Sequence, residues 1–96
     1  MEVLVTYDVN TETKAGRKRL RTVATICSGF GQRVQNSVFE CKVTAAELEV
    51  LEHRLVSTID PALDRLRIYR LPSDREKFVK VYGVGLAYDI REPLIV

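Results

Sequence analysis

The stretch RVQNSVFECKV, residues 33–43, decides the fold. Its β-branched and aromatic side chains favour extended backbone, but the polar pair Asn36-Ser37 falls near its middle, where a tight turn or bulge belongs. The run therefore reads as two short strands in sequence. On the N-terminal side, from about Lys14 to Phe30, the period changes: Leu20, Val23, Ala24 and Cys27 recur at i, i+3, i+4 and i+7, the spacing of one helix face. Gly29 and Gly31 flank Phe30 and supply the helix stop and the entry into the next strand. Before that helix, Val3 to Val9 alternate Val3, Val5 and Tyr7 against Leu4, Thr6 and Asp8, as a strand buried on much of both faces would.

On the C-terminal side, Thr44 with Glu47 forms a capping box, and Leu48, Leu51 and Leu55 follow at helical spacing to about Thr58. Asp60-Pro61 breaks this helix, and Leu66 to Leu71 is again strand-like. The order is βαββαβ, which predicts an α+β, ferredoxin-like sandwich with both helices on one face of a largely antiparallel sheet. The chain has 96 residues, enough for one core, so residues 1–96 are expected to form a single domain. That domain is complete at Leu71. The tail from Phe78 to Val96, with Val79, Val81, Tyr82 and Pro93-Leu94-Ile95-Val96, is too apolar to stand in solvent, which predicts an extra strand exchanged with a sheet edge across a homodimer.

Composition is that of a folding globular chain, 46% hydrophobic and 29% charged, with a formal net charge of +2. The distribution is more informative than the total. Lys14, Arg17, Lys18, Arg19 and Arg21 are five basic residues within one helix without an intervening acid, whereas Glu47 to Asp64 is net acidic. Cys27 and Cys41 lack CxxC spacing and His53 is the sole histidine, so a zinc site is not expected and two buried thiols are. The N-terminus has no signal-peptide pattern, and no run reaches the ~18 apolar residues of a membrane span, which points to a cytoplasmic protein.

Asp8 ends an apolar strand, where a carboxylate must be solvated, hydrogen-bonded or bound to a cation; the plain alternative is a cap for the segment after Thr11. The basic helix face is either a solvated surface or a track for phosphates. Arg33, Gln35, Ser37 and Phe39 alternate along residues 33–43 and offer a cation, an amide, a hydroxyl and a ring to a sugar-phosphate backbone, or else form an exposed sheet face with one buried Phe.

Taken in order, Tyr7-Asp8-Val9, GRKRLR from Gly16 to Arg21, GQRVQNSVFEC from Gly31 to Cys41 and LRIYRL from Leu66 to Leu71 resemble the CRISPR-associated Cas-two family of small core adaptation proteins. The closing Pro93-Leu94-Ile95-Val96 looks like the subgroup associated with type I-C systems. The resemblance implies a ferredoxin-like homodimer in which Asp8 of each subunit faces its mate and the pair holds one Mg2+, with Mn2+ as a substitute. It implies an endonuclease that hydrolyses phosphodiesters of double-stranded DNA or single-stranded RNA during spacer acquisition in antiviral defence, leaving a 3′-hydroxyl and a 5′-phosphate. Asp8 is then the catalytic and metal-binding residue, and Tyr7, Ser37 and Phe39 support it, with Phe39 shaping the site beside Asp8. Lys14, Arg17, Lys18, Arg19, Arg21 and Arg33 bind nucleic acid. A non-catalytic scaffold that bridges dimers of the adaptation integrase on DNA is the alternative, and a toxin-like ribonuclease of the virulence-associated family is the third.

Overall fold

The computed structural model describes residues 1–73 and 77–83. Its elements are β1 (Glu2–Asp8), α1 (Lys14–Ser28), β2 (Gly31–Gln35), β3 (Val38–Lys42), α2 (Ala45–Thr58) and β4 (Arg65–Leu71). The four strands form one sheet in the order β2-β3-β1-β4, antiparallel at every junction. This is the split βαβ arrangement expected from the sequence: β1 and β2 lie parallel in direction with β3 between them, so each helix returns across the same face.

The core sits between that face and the helices. Val3, Val5 and Tyr7 of β1 and Phe39 and Cys41 of β3 point into it, against Val23 and Cys27 of α1 and Leu48, Leu51 and Leu55 of α2. Phe39 and Val5 are register partners, as are Cys41 and Val3, so the largest core side chains of the two central strands stack in rows beneath the helices. Among the described residues nothing covers the opposite, bare face of the sheet. Leu4 and Thr6 there are half-buried, so β1 is fully buried on one face alone and not on both.

The capping box forms as the sequence predicts: Glu47 N–H donates to Thr44 Oγ1 at 3.1 Å and Thr44 N–H donates to Glu47 Oε1 at 2.8 Å. The end of α1 differs from expectation in its mechanism. Gly29 stays in the right-handed region at φ −72°, so the helix does not stop through a left-handed glycine. The glycine that matters for space is Gly31, where a Cβ would fall on the Glu40 carbonyl oxygen and press on Cys41. Gly16, inside the first turn of α1, is needed for the same reason: a Cβ there would collide with the Asn10 carbonyl, so only glycine lets the helix lie this close to the loop that follows β1.

Residues 77–83 carry no strand, and Phe78 and Tyr82 are 65% and 78% exposed. The rest of the expected exchanged tail, residues 84–96, lies outside the described residues. No helix among the described residues is long and apolar enough to cross a membrane.

Candidate active site and nucleic-acid interface

Asp8 is the last residue of β1. Strand pleating turns Tyr7 into the core and Asp8 out on the bare face, and Asp8 is exposed. The plain capping role for it does not hold. Thr13 caps α1, its Oγ1 accepting from Gly16 N–H at 3.0 Å, and Asn10 Oδ1 accepts from Glu12 N–H at 3.0 Å in the intervening turn. Among the described residues no hydrogen bond or ion pair engages the Asp8 carboxylate. It is an uncommitted anion at a strand end.

The expected supporting residues gather elsewhere. Tyr7 stacks on Phe39 with ring centroids 6.3 Å apart, and the Arg33 guanidinium lies over the Phe39 ring, 5.1 Å from its centroid. The Tyr7 hydroxyl donates to the Asn36 carbonyl at 3.3 Å, and Tyr7 N–H donates to the Ser37 carbonyl at 3.1 Å, which fastens the β2–β3 turn to β1. Burial pushes the Tyr7 phenol above its ordinary pKa, partly offset by Arg33, so it stays protonated at neutral pH. This cluster is on the helix-covered face. Phe39, 1% exposed, is a core residue and does not lie beside Asp8, which projects from the other side of the sheet. Arg33 and Phe39 are register partners, but a bulge between Arg33 and Gln35 breaks the alternation that would have set Arg33, Gln35, Ser37 and Phe39 on one face.

The basic face of α1 also divides. Lys14, Arg17, Lys18 and Arg21 are exposed, with Arg17 Nη1 reaching back to the Thr11 carbonyl at 3.2 Å. Arg19 turns the other way. Its Nε donates to Asp64 Oδ2 at 2.8 Å and its Nη2 to Asp64 Oδ1 at 3.3 Å, with side-chain exposures of 17% for Arg19 and 0% for Asp64. Asp64 also accepts from Asn10 N–H at 3.0 Å and from Asp60 N–H at 2.8 Å. One buried carboxylate therefore ties the loop after Asp8 to α1 and to the start of β4. The Arg19 guanidinium holds the Asp64 carboxyl below the usual aspartate range, against the opposing effect of burial. Arg19 is thus an internal strut, its guanidinium committed to Asp64 and turned away from the exposed Lys14, Arg17, Lys18 and Arg21.

Both thiols are free and buried, as expected; burial pushes Cys27 up to about 12 and raises Cys41, so neither is a nucleophile at neutral pH. No group of three or more His, Cys, Asp or Glu able to hold a metal occurs among the described residues of one chain.

Residues 1–79 match the family described as CRISPR associated protein Cas2. The chain belongs to that family. The CRISPR-associated endoribonuclease Cas2 1 of Moorella thermoacetica is 56% identical over 95 residues, covering 99% of both chains. The CRISPR-associated endonuclease Cas2 of Halalkalibacterium halodurans is 50% identical, also over 95 residues and 99% of each chain. The crystal structure of Streptococcus pyogenes Cas2 at pH 6.5 superposes with a TM-score of 0.76 at 58% identity, covering 86% of this chain and 100% of that one. Membership in Cas2 favours a CRISPR role over the toxin-like alternative. No local motif marks Asp64 in the sequence, since its main partner, Arg19, is 45 positions away.

Proposed function

We propose that this Cas2 chain is a magnesium-dependent endonuclease acting as a cytoplasmic homodimer on phosphodiesters of single-stranded RNA or double-stranded DNA during spacer acquisition. The observation that carries the reading is Asp8, an exposed carboxylate on the bare sheet face with no hydrogen-bond or ion-pair partner among the described residues. Relatives of similar length named as endoribonuclease and endonuclease support it.

The donor chemistry fits the ion. Magnesium keeps several waters and takes one or two carboxylates, so Asp8 and its symmetry mate would suffice even though the described residues of one chain offer no ligand cluster. When bound there, Mg2+, or Mn2+ in its place, would neutralise phosphate charge and acidify a bound water. The dimer places the two carboxylates together if the bare faces meet. That face carries half-buried Leu4, Val38 and Leu71 with Tyr69, 43% exposed, as an apolar strip set among Glu40, Arg65 and Arg67, a strip that a partner sheet could cover. Phe78 and Tyr82 ask for cover as well, in keeping with a tail exchanged between subunits. In the cleft, Asp8 orients the attacking water while cationic side chains hold the phosphates.

The test is cleavage of matched RNA and DNA by wild type and Asp8→Asn, with light scattering to follow the dimer. Loss of cutting with the dimer intact is the expected result. An Asp8→Asn protein that cuts at the wild-type rate would remove the reading.

One observation favours a scaffold that lays DNA along itself beside the adaptation integrase without cutting it. The stripe Lys14, Arg17, Lys18 and Arg21 is on the helix layer, so a duplex following it runs over the face opposite Asp8. Spacer capture by Asp8→Asn at wild-type efficiency would select this role.

A further inference from the structure

Asp8 and Arg65 are register partners at the junction of β1 and β4, and both belong to the bare face of the sheet. The alternation of β4 confirms the side: Leu66 and Ile68 pack on the core, whereas Arg65, Arg67 and Tyr69 are exposed. Opposed residues of an antiparallel pair have Cβ atoms about 5 Å apart. A guanidinium and a carboxylate with such anchors can reach one another, yet no ion pair joins them among the described residues, and neither side chain has another hydrogen-bond partner there. Both charges are available to a third group.

None of the arginines expected to bind nucleic acid stands beside Asp8: Arg19 is held by Asp64, Arg33 lies over Phe39 on the covered face, and Arg17 and Arg21 are on α1 in the helix layer. On the bare face itself, Arg67 Nη1 donates to the Tyr69 hydroxyl at 3.1 Å. Arg65, without a partner among the described residues, is the cation opposite Asp8. Its position is also fixed from behind. Asp64, the preceding residue, is locked by four hydrogen bonds, one of them to the backbone of Asn10, two residues beyond Asp8. The backbone entering β4 and the backbone leaving β1 are therefore tied to a single carboxylate, and the two side chains hang from a common frame.

We propose that Arg65 holds the scissile phosphate at the Asp8 site, gripping its non-bridging oxygens while Asp8 carries the cation side of the reaction. A phosphodiester gathers negative charge on those oxygens as it is attacked, and a planar guanidinium presents paired donors to two of them at once. A cation one strand away from the carboxylate also gives the substrate one orientation: phosphate toward β4, attacking water toward β1. This role rests on the nuclease reading above.

The experiment is steady-state cleavage of single-stranded RNA and double-stranded DNA with Mg2+ by full-length wild type, Arg65→Ala, Arg65→Lys and Asp8→Asn, with melting curves for each. Arg65→Ala is expected to lower kcat by about 100-fold with KM changed less than about 3-fold, the pattern of a contact made in the transition state. Arg65→Lys should recover part of the rate as a point charge, and neither change should move the melting temperature by more than about 2 °C, since Arg65 is exposed. Wild-type kcat in Arg65→Ala beside an inactive Asp8→Asn would overturn this role and leave the nuclease reading standing. A raised KM with unchanged kcat would overturn it too, making Arg65 a ground-state contact. A wild type that binds nucleic acid but cuts neither substrate would defeat the nuclease reading and this inference with it.

Discussion

Replacing Asp64 by Ala removes one buried carboxylate on which four hydrogen bonds end: two from Arg19 and one each from Asn10 N–H and Asp60 N–H. Hydrogen bonds to a charged acceptor contribute about 1.5–3 kcal/mol each, but the four share one anion and the freed donors regain some water, so the loss is far from additive. The expected destabilisation is about 2–4 kcal/mol at neutral pH. For a domain of this size each kcal/mol moves the melting point by about 4–8 °C, so the variant should melt roughly 8–32 °C lower. The sign of the pH dependence follows from the depressed Asp64 pKa. A carboxylate with a lower pKa folded than unfolded stabilises above its unfolded value, about 3.9, and loses that contribution as pH falls through the folded value. The gap between wild type and Asp64→Ala should hold between pH 5 and 7, narrow below about pH 4 and close in stronger acid. Urea unfolding monitored by circular dichroism at pH 7, 5, 4 and 3 measures it. A gap under about 1 kcal/mol at pH 7, or one that widens in acid, would refute the reasoning.

The α1 stripe is testable through salt. Arg17, Lys18 and Arg21 changed together to Ala should weaken duplex binding and flatten the log–log salt slope by up to about 0.9 per lost phosphate contact, and unchanged affinity would take nucleic acid off this helix. Phe39→Ala should cost about 3–5 kcal/mol of stability, as expected of a ring in the core; a folded protein of wild-type stability with a selective cleavage defect would return Phe39 to the site. Leu4→Lys places a charge on the bare sheet face and should turn the dimer into a monomer by light scattering, and an undisturbed dimer would mean that the subunits meet elsewhere.

The fold was legible because each of its signals is local. The turn at Asn36-Ser37, the Thr44–Glu47 box and the two leucine-rich helical faces each depend on residues within one turn or one hairpin, and all appear where their spacing put them. The site was legible only in part. Asp8 stood out as a carboxylate closing an apolar strand, but the residues around it in the sequence do not surround it in space: alternation along β1 sends Tyr7, and with it Phe39 and Arg33, to the opposite face. Five cations crowd α1 in the sequence, yet only Lys14, Arg17, Lys18 and Arg21 recur at the spacing of one face; a helix turns 100° per residue, and that rotation carries Arg19 away from them to Asp64.

What the sequence determined by itself is the order of elements, the buried faces of the two helices and the family, since periodicity and capping are written within a few residues of one another. What the tertiary structure decided is which charges are spent and which remain. Asp64 and Arg19 neutralise each other in the interior, while Asp8 and Arg65 come opposite one another on the bare face through a strand pairing between positions 57 residues apart in the chain (65 minus 8). Such pairings arise only when the sheet closes, because the register of β4 on β1 is set by burying Leu66 and Ile68 beneath the helices, and that choice turns Arg65 toward Asp8.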